Sequence, residues 1–176
     1  MPRLLPLPIL CTLLLAGCGN SQPVSAPDEG QYKDASVWDL PALDESRRVR
    51  LDEYAGQVVV MSFWASWCGP CKRELPALQR LYNTHKKAGL VVIGVNIDDD
   101  VSAARKTAHK LGVEYPLVHD TGGRRTARGY PSDMIPTTFV VDRKGKIRAR
   151  HVGYTARSGA QLEREVRALL NEESTP

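Results

Sequence analysis

Two apolar runs constrain this chain more than any other feature. Val58 to Phe63 reads VVVMSF, and Leu90 to Ile97 reads LVVIGVNI. Neither alternates apolar with polar, and both are rich in β-branched residues, so each predicts a strand covered on both faces. Between them Leu75, Leu78, Leu81, Tyr82 and His85 fall at helical spacing, and Gly89 ends that segment. A buried strand, a helix and a second buried strand open an α/β fold.

The remainder extends the pattern. Val101, Ala104, Ala108 and Leu111 mark a second amphipathic helix closed by Gly112, and YPLVHD (Tyr115 to Asp120) is a short strand. Gly123 to Tyr130 reads as a brief helix. Thr137 to Asp142 and Lys146 to Val152 read as strands joined at Arg143-Lys144-Gly145, a hairpin signal. Ser158 with Gln161 suits a capping box, and Leu162, Val166, Leu169 and Leu170 give the last helix its buried face. Upstream, SVWDL (Ser36 to Leu40) and RVRL (Arg48 to Leu51) flank a polar turn and read as an N-terminal hairpin. The order predicts an α/β sandwich with a central mixed β-sheet flanked by helices. A length of 176 residues allows one domain plus a tail. The formal charge of +4 is mild, and the clusters Arg124, Arg125, Arg128 and Arg143, Lys144, Lys146 carry no interleaved aromatics. They read as solvated loops, with no nucleic-acid partner.

Residues 1–17 read as a signal peptide. Arg3 precedes an apolar stretch, Ile9 to Gly17, too short to span a bilayer. It ends in Leu15-Ala16-Gly17-Cys18, which resembles the lipobox of bacterial lipoproteins; that resemblance implies cleavage before Cys18 and lipid on it. Residues 18–31, rich in Gly, Ser, Pro and Gln, read as a flexible tether, and residues 32–176 as the folded domain. Cys11 leaves with the signal and Cys18 carries the anchor, so Cys68 and Cys71 remain, with no framework of structural disulfides to explain them.

A thiol–disulfide exchange site needs a thiolate that attacks and a second thiol that resolves the mixed disulfide. Cys68-Gly69-Pro70-Cys71 at a helix start meets both needs. Cys68 falls where free N–H groups and the helix dipole favour negative charge, and Pro70 suits a first turn. Cys68 is then the nucleophile and Cys71 the resolving thiol, with their own disulfide as the only cofactor. Structural zinc wants four ligands, and His85, His109, His119 and His151 form no second pair. Copper asks less: a cysteine pair and one histidine, His151 or His119, leave open a copper metallochaperone as the alternative.

The stretch FWASWCGPCKRELP resembles the active site of the thioredoxin superfamily, with Trp67 before the pair and Pro76 five residues after Cys71. MIPTTFVVDRKGKI resembles that fold's cis-proline segment and hairpin. The resemblance implies a thioredoxin-like sandwich, a cis bond at Pro136, and Trp67, Ile135 and Pro136 as the surface that holds a partner. Cys71 and Pro136 lie 65 residues apart, more than a small thioredoxin needs, which implies a central insertion. That insertion and the N-terminal hairpin resemble the TlpA/ResA/CcmG branch of membrane-tethered oxidoreductases. The branch implies a periplasm-facing monomer that reduces disulfides of extracytoplasmic proteins, apocytochrome c among them, and is recharged by a membrane electron donor. Gly-Pro between the cysteines and apolar Ile135 imply a reductant, nearer the roughly −270 mV of thioredoxin than the roughly −120 mV of a strong oxidant. Thioredoxin carries a buried Asp where this chain has Ser62. Glu74 replaces it only by turning inward; its helix position reads as solvated.

Overall fold

The computed structural model describes residues 34–172; the signal, the Cys18 anchor and the tether read from the sequence lie outside them. The elements run β1 (Asp39–Pro41), β2 (Arg48–Arg50), β3 (Val58–Trp64), α1 (Gly69–His85), β4 (Leu90–Asn96), α2 (Val101–Lys110), β5 (Leu117–His119), β6 (Thr137–Val141), β7 (Ile147–Val152) and α3 (Ala156–Asn171). β1 and β2 form the expected hairpin. The other five strands form one mixed sheet in the order β5-β4-β3-β6-β7. β3 and β4 are parallel, as are β4 and β5, while β6 runs antiparallel to both β3 and β7.

All seven residues of β3 and all seven of β4 are buried, as their apolar runs require. Their side chains alternate between two clusters. Val58, Val60, Trp64, Leu90 and Val92 meet Leu75 and Leu78 of α1, Ala104 and Ala108 of α2, and Leu162, Val166 and Leu169 of α3. Val59, Met61, Phe63, Val91, Ile93 and Val95 meet Trp38, Leu40 and Val49 of the hairpin and Tyr130 beyond β5. The expected α/β sandwich with a central mixed sheet and packed helices forms: residues of α1, α2 and α3 share one cluster, and the hairpin supplies cover for the other.

Two local expectations change. Gly123 to Tyr130 is not a helix: a short 3₁₀ turn at Thr121–Gly123 leads into consecutive turns. The buried Asp120 carboxylate organises them by accepting from the N–H groups of Arg125 and Thr126 and from the Thr126 hydroxyl. Side-chain capture of this kind competes with helix formation. Arg124, Arg125 and Arg128 are exposed, as a solvated loop predicts. The cap of α3 is Thr155, not Ser158; Thr155 and Ser158 bond each other's N–H groups reciprocally, one turn earlier than the box read at Ser158 and Gln161.

Candidate functional site

β3 ends at Trp64, and Ala65, Ser66 and Trp67 carry the chain to Cys68 at the N-cap of α1. That short turn is held from the side. Asp98, 3% exposed, accepts from the N–H and the hydroxyl of Ser66, both at 2.8 Å, and from the Asn96 amide at 2.6 Å. A buried carboxylate with three donors fixes the loop that presents the cysteines. The sequence reading did not single out Asp98; its one signal was an acidic residue just past the end of a buried strand.

Cys68 and Cys71 are joined in a disulfide. Cys68 Sγ accepts the N–H of Cys71 at 3.2 Å, with Gly69 and Pro70 filling the first turn of α1. Donor N–H groups and the helix dipole therefore converge on the sulfur that would carry charge once reduced. Acidic residues are absent from that first turn, so nothing there offsets the effect. Cys68 is 5% exposed and Cys71 fully buried. The Ile135–Pro136 peptide is cis, and the Ile135 carbonyl oxygen lies 3.7 Å from Cys68 Sγ. Two large apolar side chains flank this junction in solvent, Trp67 at 70% and Met134 at 64% exposure. Trp67, Ile135 and Pro136 thus adjoin the disulfide in sequence or in space, and Met134 joins them unforeseen.

Glu74 overturns its sequence reading as a solvated helix residue. It is 2% exposed and lies on the face of α1 that also buries Cys71, Leu75 and Leu78. Its carboxylate accepts from Ser62 Oγ at 2.7 Å and from Thr138 Oγ1 at 2.9 Å. Ser62 and Thr138 are direct partners across β3 and β6, so the sheet presents two hydroxyls side by side beneath the helix. Burial pushes the Glu74 carboxyl above its ordinary range, against the pull of both hydroxyls and of His151. His151 sits opposite Thr138 on β7 and binds Glu165 of α3 at 2.7 Å through Nε2. His119, on β5 at the other edge of the sheet, bonds the Asp98 carbonyl at 2.8 Å. Among the described residues no group of three or more His, Cys, Asp or Glu is placed to hold a metal ion.

Fold and site together define one class: a thioredoxin-type mixed sheet bearing a Cys-x-x-Cys pair at a helix N-terminus and a cis-proline beside it. The AhpC/TSA family profile matches residues 33–150, and the chain belongs to that family. It is 35% identical over 104 residues to the thiol-disulfide oxidoreductase ResA of Geobacillus thermodenitrificans, covering 59% of each protein. The Bacillus subtilis protein of that name is 33% identical over 101 residues, covering 57% of this chain and 56% of that one. The chain thus spans less than two thirds of the length of the curated relatives it matches. A Chlorobium tepidum crystal structure assigned as thiol:disulfide interchange protein DsbE aligns with a TM-score of 0.75 at 32% identity, over 80% of this chain and 98% of that one. These relatives place the chain in the TlpA/ResA/CcmG-like branch that its insertion and hairpin resembled.

Proposed function

We propose that this chain is a membrane-anchored, extracytoplasmic thiol–disulfide oxidoreductase that works as a monomer and reduces disulfides of partner proteins. The observation that carries the reading is the Cys68–Cys71 disulfide at the N-terminus of α1 beside the Ile135–Pro136 segment. The relatives' names support the same chemistry. In the reduced state the Cys68 thiolate attacks a partner disulfide, forming a Cys68–partner bond and expelling one partner thiolate, which takes a proton from solvent. Cys71 then gives its proton to the Glu74 carboxylate and attacks Cys68 Sγ. The Cys68–Cys71 bond forms, the Cys68–partner bond breaks, and the second partner thiolate leaves and is protonated. Two electrons pass to the partner, and an external membrane dithiol must return them. Exposed Trp67 and Met134 offer the partner an apolar surface.

Extracytoplasmic placement rests on the signal-like start and Cys18. The lipobox-like Leu15-Ala16-Gly17-Cys18 supports lipid on Cys18 as the proposed anchor; no helix among the described residues is long and apolar enough to cross a membrane. Disulfide-containing exported proteins, apocytochrome c among them, are the proposed partners.

Cys71→Ser is the direct test. It should accumulate mixed disulfides through Cys68 with exported proteins, identified after non-reducing separation. No covalent partner, or trapping through Cys71 in the Cys68→Ser protein instead, would overturn the assignment. Equilibration of the wild type with glutathione buffers, read by tryptophan fluorescence, should give a potential nearer about −270 mV than about −120 mV. A value at the oxidising end would make the protein a disulfide donor.

A further inference from the structure

His151 and Glu165 form a pair that the chemistry above does not use. Nε2 of the histidine lies 2.7 Å from Glu165 Oε2 on α3, and Gln161 donates to the other carboxylate oxygen at 2.9 Å. Contact this short is typical of a hydrogen bond between charged partners. Only 12% of the histidine side chain and 31% of the glutamate side chain reach solvent. Burial raises the Glu165 carboxyl, yet the bonds from His151 and Gln161 hold it below its ordinary range.

The sheet aligns this pair with Glu74. His151 of β7 is the direct partner of Thr138 on β6, and Thr138 is the direct partner of Ser62 on β3. Directly paired residues of antiparallel strands project from the same face, with Cβ atoms about 4.5–5.5 Å apart. Ala149, two residues before His151 on β7, packs in the cluster that holds Leu75, Leu162 and Val166, so the imidazole faces the helices. One row therefore crosses three strands, Ser62, Thr138 and His151. Glu74 of α1 is bonded to the first two and Glu165 of α3 to the third. Both bonds to Glu74 come from neutral hydroxyls, which leave its charge uncompensated. Burial raises the Glu74 carboxyl, and the positive charge of His151 works against that rise.

We propose that His151, kept charged by Glu165, is a positioning residue for Glu74: across Thr138 it is the counter-charge that sets how readily the buried carboxylate takes the Cys71 proton. The coupling runs both ways. Once Glu74 accepts a proton its charge disappears, and His151 then gives up its own proton more easily at the α3 edge of the sheet. Histidine suits the task, because its charge changes near neutral pH. The charged groups that face the imidazole are Glu74 from α1 and Glu165 from α3, with Arg164 acting on the Glu165 carboxylate; β6 presents the neutral Thr138. The role in resolution rests on the redox function proposed above; the coupling of His151 to Glu74 does not.

The test reads that coupling first, on the oxidised protein, with ¹³C-labelled glutamate to follow Glu74 and labelled histidine to follow His151. His151→Gln keeps an N–H for Glu165 but no charge. It should raise the proton affinity of Glu74 by about three- to tenfold, the scale of one partly compensated charge acting across a strand spacing. His151→Lys retains a charge and should leave that affinity near the wild-type value. Linkage is reciprocal, so Glu74→Gln should lower the proton affinity of His151 by the same factor; this arm stands even if His151→Gln does not fold. A Glu74 midpoint unmoved in His151→Gln, one that moves equally in His151→Lys, or a His151 titration indifferent to Glu74→Gln would overturn the proposal and leave the pair as a fastening of α3 to the sheet. Turnover comes second: in His151→Gln the pH profile of mixed-disulfide resolution should move upward by the same factor. A spectroscopic shift without that kinetic shift would leave the coupling standing and overturn Glu74 as the proton acceptor of Cys71.

Discussion

Replacing Glu74 with glutamine should make this protein more stable and a poorer catalyst. Removing an ion from water costs several kcal/mol even after the interior relaxes. Hydrogen bonds from Ser62 and Thr138 to the carboxylate return about 1.5–3 kcal/mol each, and the raised pKa says that burial wins. Glutamine keeps the shape. Its carbonyl accepts from one hydroxyl, its amide donates to the other once that hydroxyl turns, and neither bond carries a desolvated charge. The expected gain is about 1–2 kcal/mol at pH 8, the lower part of the range found when buried ionic groups are replaced by neutral ones. For a domain of this size that is about 3–6 °C in Tm. The pH dependence is the sharper signature. A carboxyl whose folded pKa lies above its unfolded value, near 4.5 here, contributes its stability in full below that value and loses it as pH rises through the folded pKa. The advantage of Glu74→Gln should thus be absent at pH 4 and grow steadily toward pH 8. Urea unfolding of the oxidised wild type and variant across that range measures it. A difference that stays constant, or one that turns against glutamine as pH rises, would refute the claim that the carboxyl is destabilised by burial. The same variant should slow release of a trapped partner, because Cys71 would lose the proton acceptor proposed for it, a stability–function trade-off at one residue.

Ser62→Asp would set a second carboxylate where Ser62 Oγ now stands 2.7 Å from Glu74; two such groups cannot both ionise, and the variant should lose about 2–4 kcal/mol at pH 8 and much less at pH 5. Equal urea midpoints at the two pH values would mean the aspartate has turned away. Gly94→Ala places a Cβ 2.5 Å from Leu117 Cδ2, and overpacking should cost about 1–3 kcal/mol by urea denaturation; a neutral result would mean that the Leu117 side chain yields freely. In the reduced protein, limiting iodoacetamide followed by peptide mass spectrometry should label Cys68, the helix N-cap, before fully buried Cys71, and the reverse order would exchange their roles. Cys18→Ser should release the protein from membranes on fractionation, and a variant that sediments like wild type would remove the anchor.

The sequence by itself determined the sheet's centre and the chemistry. VVVMSF and LVVIGVNI have no polar face to offer solvent, so they could only become strands buried on both sides, and a cysteine pair spaced across a proline-bearing first turn could only sit at a helix start. Local signals of that kind are written in neighbouring residues. The direction of Glu74 was not. Spacing from Cys71 allowed it to face inward, but its charge argued for solvent, and nothing local said which would prevail. The answer depended on β3 pairing with β6, residues more than sixty positions apart in the chain, in the register that sets Ser62 beside Thr138. That pairing builds the two hydroxyls that make a buried carboxylate tolerable. The loop after β5 likewise follows Asp120 and not the helical pattern of its own residues. Partners for buried polar groups come from distant segments, and only the folded chain decides which segments meet.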